Sequence, residues 1–241
     1  MATYVSLVNE LLRRMNEVTL DTAGDGFDTV RNVQALAKDA VNSSVRLILQ
    51  TGQEWPFLKT TYTQTLTPAT RQYDFPANYS SVDWDTFYIK RLDSKNNGPQ
   101  RLRAISYEDY INNYRTADDT GDLVNGNSAP NTVYQTYDSK FGVTPVPDAA
   151  YEIEYVYWSY PDDMSVYNDV CVIPDRFKHV LIDGAMMFMM RFRSNEQSAS
   201  MHQNNFDDGI KSMRRVLMDD PLQVRSTVLN RGQATSLNGS N

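Results

Sequence analysis

The spacing of apolar positions along this chain changes twice. In the opening stretch TYVSLVNELLRRMNE, Val5, Val8, Leu12 and Met15 recur at helical spacing behind Thr3, which can serve as an N-cap. TLDTAGDGFD, rich in Gly, Asp and Thr, reads as a loop. A longer helix is predicted to begin at Asp28 or Thr29. Val30, Val33, Ala37, Ala40, Val41, Ser44 and Ile48 form its stripe, and the small residues in the middle suit close approach by another helix. Gly52 and Pro56 are its stop signals.

Beyond Pro56 the period shortens toward two. TTYTQTLTPATRQYDFP predicts two strands joined in a hairpin at Thr67–Thr70. DTFYIKRL predicts a strand with Phe87 and Ile89 on one face, DSKNNGPQ a polar turn, and RLRAI the return strand. In SYEDYINNYR, Ser106 and Asp109 make a capping-box pattern. Tyr107, Tyr110, Ile111 and Tyr114 then share one face of a short helix. TADDTGDLVNGNSAPN reads as a long exposed loop. TVYQTY and KFGVTP predict a hairpin around Asp138–Ser139.

The last long strand lies in VTPVPDAAYEIEYVYWSYP. Tyr151, Ile153, Tyr155 and Tyr157 share one face. Glu152 and Glu154 begin the other, and Val156, Trp158 and Tyr160 finish it. Such a strand starts half-solvated and ends covered on both sides. Helical spacing returns after Pro174, with Phe177, Leu181, Ala185, Phe188 and Phe192. A second capping-box pattern, Ser194 with Gln197, precedes a stripe of Phe206, Ile210, Met213 and Leu217, which Pro221 ends.

These periods predict an α+β fold. Residues 1–55 and 173–218 form a helical module from both chain ends, because each apolar stripe needs a partner. Residues 56–172 form an inserted antiparallel β-sandwich or barrel-like module. Residues 219–241 have no aromatic residue, end in small polar residues and are expected to be a flexible C-terminal arm.

Composition narrows the chemistry. A chain of 241 residues can bury a sizeable core. Its single cysteine, Cys171, forms no internal disulfide, which suits a reducing setting. No secretion signal is read at the N-terminus, and the apolar run GAMMFMMRF is interrupted by Arg191, so a soluble protein with no membrane contact is expected. The net charge of −7 argues against DNA as a tightly held ligand.

No residue set reads as catalytic, metal-binding or cofactor-binding, so no enzyme and no cofactor are expected. His179 stands one turn before Asp183, which points to a structural contact, and His202 has no metal-ligand spacing. Cys171 has no electropositive neighbourhood and reads as core. Glu152 and Glu154 share one strand face, where a glycosidase needs carboxylates across a cleft. DDTGDLVNGNS lacks the spacing and terminal Glu of a calcium loop. No phosphate-loop pattern occurs.

The aromatic residues carry two readings. Tyr110, Tyr114, Tyr134, Tyr137, Tyr157, Trp158 and Tyr160 could form a sugar-binding platform on a β-sandwich. Alternatively, Tyr155, Tyr157, Trp158 and Tyr160 are sheet or subunit-interface aromatics, because Tyr and Trp combine large apolar area with a polar tip. The C-terminal arm is likewise either an end without a role or a set of anchors that order on a partner. In the second reading Leu222, Val224, Val228, Leu229 and Leu237 supply apolar contacts, and Arg225 and Arg231 polar ones.

GQEWPFL, YDFPANYSSVDW, GVTPVPDAAYEIEYVYWSYP and CVIPDRF follow one another in an order that resembles the head-to-tail adaptor (connector) proteins of short-tailed bacteriophages, the tail tubular protein A family. The resemblance spans about residues 28 to 218. It implies a non-enzymatic virion protein of the phage neck, assembled in the host cytoplasm. It implies a homo-oligomeric ring, a dodecamer, beneath the portal protein. The helical module would face the portal and the β-module the tail nozzle protein. DNA would pass through the channel without specific binding, which the acidic balance fits. The C-terminal arm would run along the portal, and the anchors named above would be its binding residues. The competing expectation is a carbohydrate-binding β-sandwich tail module.

Overall fold

The computed structural model describes residues 1–20, 27, 30–51, 54–90, 99–120, 126–137 and 140–218. Helix α1 (Tyr4–Arg14) begins behind Thr3, whose hydroxyl makes no cap. Its first amides are satisfied at long range instead: Tyr4 N–H donates to the Asp169 carbonyl (2.7 Å) and Val5 N–H to that of Tyr167 (3.1 Å). Helix α2 (Val33–Leu49) starts later than the sequence suggests, because Asn32 stands at φ 56°, outside the helical region. The stripe is buried at Ala37, Ala40, Val41, Ser44 and Ile48, while Val30 and Val33 are half-buried at its near end. Gly52, the expected stop, lies outside the described residues.

The strands are β1 (Lys59–Thr65), β2 (Gln72–Asp74), β3 (Tyr79–Val82), β4 (Tyr88–Lys90), β5 (Gln100–Arg101) and β6 (Arg103–Ile105). Two short helices, α3 (Tyr107–Asn113) and α4 (Arg115–Thr120), precede β7 (Thr132–Gln135), β8 (Lys140–Thr144) and β9 (Glu152–Ser159). Helices α5 (Lys178–Phe192) and α6 (Glu196–Leu217) complete the α+β fold. A five-stranded sheet is organised around β9: β1 pairs along one edge, and β3 and β4 share the other, with β5 beyond β4. A four-stranded sheet runs β2-β8-β7-β6. All pairings are antiparallel except β6 with β7, which is parallel.

Four local expectations change. The runs flanking Thr67–Thr70 are not a hairpin, since β1 pairs with β9 and β2 with β8. The turn exists, with Thr70 N–H on the Thr67 carbonyl at 3.1 Å, but it is a corner between sheets. Tyr73 closes it by donating its hydroxyl to the Thr70 carbonyl at 2.7 Å. The return strand RLRAI splits at buried Leu102, so β5 stays with β4 while β6 crosses to the second sheet. The start of the expected loop after Tyr114 is helical, as α4. Finally, α6 is capped by Asn195, whose Oδ1 accepts from Ser198 N–H at 3.1 Å, and not by Ser194, which stands at φ 55°. At the short helix α3 the expected cap is present: Ser106 Oγ accepts from Asp109 N–H at 3.1 Å.

Two apolar clusters result. One gathers α1, α2, α5 and α6 around residues such as Leu11, Trp55, Leu181 and Met213. The other fills the space between the sheets with Phe87, Phe141, Val143, Ile153 and Tyr155. Trp158, near the end of β9, packs against the helical cluster, so one strand contributes to both cores.

Candidate interaction surface

The burial of β9 alternates as its sequence does. Ile153, Tyr155 and Tyr157 are 0, 0 and 5% exposed between the sheets, and Phe87 stacks on Tyr155 at 4.7 Å. Tyr157 donates its hydroxyl to Asn78 Oδ1 at 3.0 Å. Trp158 is half-buried on the opposite face, with the Lys59 ammonium 5.0 Å above its ring. Tyr160 is the most open of the four expected aromatics, at 38%. These residues therefore divide: Tyr155 and Tyr157 fill the sandwich, Trp158 joins it to the helices, and Tyr160 faces out.

The segment after β9 is fixed to both N-terminal helices. Arg46 of α2 pairs with Asp163, and this hydrogen bond and charge hold the Asp163 carboxyl below its ordinary range. Asn42 donates to the Met164 carbonyl at 2.9 Å. Asp169 accepts from the amides of Val166 (2.8 Å) and Ser165 (2.7 Å), which also lower its pKa, while its own carbonyl receives the first amide of α1. The junction of sheet and helices is thus tied by backbone and charge as well as by Trp158.

The polar residues singled out in the sequence are placed as follows. Asp183 is engaged by His202 of α6, at 3.0 Å from Nδ1, and not by His179 as expected, because α5 and α6 pack face to face there. Cys171 is 2% exposed and burial pushes its thiol pKa up. Glu154 pairs with Lys90 on the outer face of the first sheet. Among the described residues no three His, Cys, Asp or Glu side chains gather as a metal site. No helix among them is long and apolar enough to cross a membrane.

The seven aromatics of the sugar-platform reading do not form one surface. Tyr134 is 0% exposed under α3, its ring stacked on Tyr110 at 3.8 Å, while Tyr157 lies inside the sandwich. Tyr137 stands out at 86% exposure and meets Tyr107 edge-on at 4.8 Å. With Trp84 and Arg103 they border an open cleft of about 730 Å³ beside β6, the last strand of its sheet. Trp84 carried no periodic signal in the sequence, since it sits in a 3-10 turn between β3 and β4. Further apolar exposure lies on the helices, at Phe192 (60%), Met201 (55%) and Val216 (51%). An exposed aromatic edge on the sheets and exposed apolar residues on the helices are features of contact surfaces.

The proposed arm residues Leu222, Val224, Arg225, Val228, Leu229, Arg231 and Leu237 lie outside the described residues. A family model described as SU10 adaptor protein matches residues 2–228, which takes in every helix and strand above. No curated protein matches the chain.

Proposed function

Because the chain belongs to the SU10 adaptor protein family, a phage adaptor family, we propose that it joins the portal protein to the tail as a structural component of the virion. In this reading it is an adaptor of the tail tubular protein A type. Copies close into a ring, a dodecamer in keeping with the resemblance, by a heterologous interface that rotation completes. Residues 1–55 and 173–218 act as the portal-facing module, residues 56–172 as the module facing the tail nozzle protein, and residues 219–241 as a portal-binding arm. The match across residues 2–228 carries the reading.

The physical features are compatible with it. Net charge −7 disfavours phosphate contacts, as the wall of a DNA conduit requires. The exposed Tyr137 and Phe192, on different modules, offer apolar area to neighbours. The role is geometric, not catalytic. Co-sedimentation of the purified protein with its portal tests the reading. Binding is expected, and removal of residues 219–241 should weaken it at least about tenfold, about 1.4 kcal/mol. Full attachment without the arm would contradict the arm assignment, and sugar binding with no portal affinity would favour the carbohydrate module.

A further inference from the structure

Strand β1 is an outer edge of its sheet, with β9 on one side and no strand on the other among the described residues. It has seven residues, whereas the other strands at sheet margins, β2, β3, β5 and β6, have two to four. All of β1 except Gln64 is exposed, and its register against β9 is unbroken from Lys59–Trp158 to Thr65–Glu152.

The pairing fixes which backbone groups face outward. Leu66 N–H donates to the Tyr151 carbonyl at 2.7 Å, so the even-numbered residues of β1 exchange hydrogen bonds with β9 and the odd-numbered ones do not. Val156, opposite Thr61, has the same phase. Its amide donates to Thr86 Oγ1 at 3.0 Å and its carbonyl accepts from Asp83 N–H at 3.0 Å, both on the far side of β9. The amides and carbonyls of Thr61, Thr63 and Thr65 therefore point out of the sheet edge, where no described group meets them. The Lys59 carbonyl joins them, while its amide is held by the Pro56 carbonyl. Native edges are blunted by proline, a bulge, an inward charge or a covering element. β1 has none of these among the described residues. Its one charge, Lys59, stands at its end, with the ammonium 5.0 Å above the Trp158 ring and 3.4 Å from Asp83. Tyr62 lies on the inner face beside Tyr155 and Tyr157, yet stays 38% exposed at the margin.

We propose that β1 pairs with β1 of a second copy, antiparallel about a two-fold axis at Tyr62. Length and symmetry select this occupant. No other described edge matches seven residues, and the register centred on Tyr62 pairs all seven. Thr61 then exchanges hydrogen bonds with Thr63 of the second copy, and the Thr65 amide reaches the opposing Lys59 carbonyl. Lys59 lies opposite Thr65, so no like charges meet. The two Tyr62 side chains face each other in a non-hydrogen-bonded pair and cover each other. The two five-stranded sheets become one. Such a contact is isologous, unlike the interface of a ring closed by rotation. It concerns chains outside the ring, and the inference stands without the portal reading.

Sedimentation equilibrium on the full chain without portal tests it, together with two cysteine variants. A dimer is expected. Thr63→Pro removes an outward amide and no hydrogen bond to β9, so it should weaken dimerisation at least about tenfold with an unchanged circular dichroism spectrum. Tyr62→Cys should form an intermolecular disulfide under mild oxidation, because residues opposed in such a pair have Cα atoms about 4.5 Å apart. Thr60→Cys, on the same face but opposite Gln64 of the second copy, should not. Cys171 is 2% exposed and does not compete. The cysteine variants decide the matter should Thr63→Pro fail to fold. A monomeric wild type would overturn the proposal and leave the edge to a different partner. A dimer indifferent to Thr63→Pro, or equal disulfide formation at both cysteine positions, would also overturn it.

Discussion

Gly142 on β8 shows how one residue sets the outer face of a sheet. A Cβ there would lie 2.2 Å from the Tyr134 ring. The ring cannot yield, because Tyr110 stacks on its far side at 3.8 Å. Gly142→Ala is therefore expected to cost about 1–3 kcal/mol, read from the urea midpoint. Two carboxyls near this level of structure respond to pH with opposite signs. Burial raises the Asp118 pKa, only partly offset by its hydrogen bond from Thr144. Its contribution is full below the unfolded pKa and is lost as pH rises through the folded value. Asp163, held low by Arg46, contributes above its unfolded pKa and loses that contribution as pH falls through the folded value. Asp118→Asn should thus gain on the wild type in thermal midpoint as pH rises from about pH 4 to about pH 7, whereas Asp163→Asn should lose ground on it as pH rises from about pH 2 to about pH 4.

At the scale of elements, the sequence disclosed what each segment is better than what it pairs with. Helical stripes in α1 and α6 and the alternation of β9 were legible because apolar spacing records burial directly, whereas the expected α5 stripe ends at Phe192, which is exposed, and misses Ile182, Met186 and Met189, which are buried because α5 packs against both α2 and α6. Partners were not, since the turn at Thr67–Thr70 announces a reversal without saying whether the next strand stays in the sheet. The Tyr73 hydroxyl, reaching back to Thr70, decides for a corner. RTADDT has no apolar period, yet it is helical as α4, where Asp119 takes Arg71 and Asp118 takes Thr144. Tertiary contacts override a polar local sequence there. The aromatic list named the residues of β9 but could not separate Trp158, which serves the helical core, from Tyr157, which serves the sandwich. Trp158→Ala tests that division. It should lower stability by about 2–3 kcal/mol, less than for a fully buried Trp. The loss should appear in the fluorescence of Trp55, 0% exposed in the helical core, on urea titration. An unchanged midpoint would show that Trp158 does not couple the two clusters.

At the scale of the whole molecule, an adaptor needs two ends and a stiff connection between them. The helices and the sandwich have separate cores. Trp158, the Arg46–Asp163 pair and the amides of α1 on the segment after β9 join them. Relative motion at that junction is opposed by three kinds of contact, as the proposed ring would require of its subunit. Large apolar residues are exposed at both ends, Tyr137 on the sheet side and Phe192, Met201 and Val216 on the helical side. Cryo-electron microscopy of the virion neck tests the central proposal most directly. The account predicts a closed ring of this chain directly beneath the portal, its helices against the portal and its sheets toward the tail. Density for the chain elsewhere in the virion, or a neck in which portal and tail meet without it, would contradict the account.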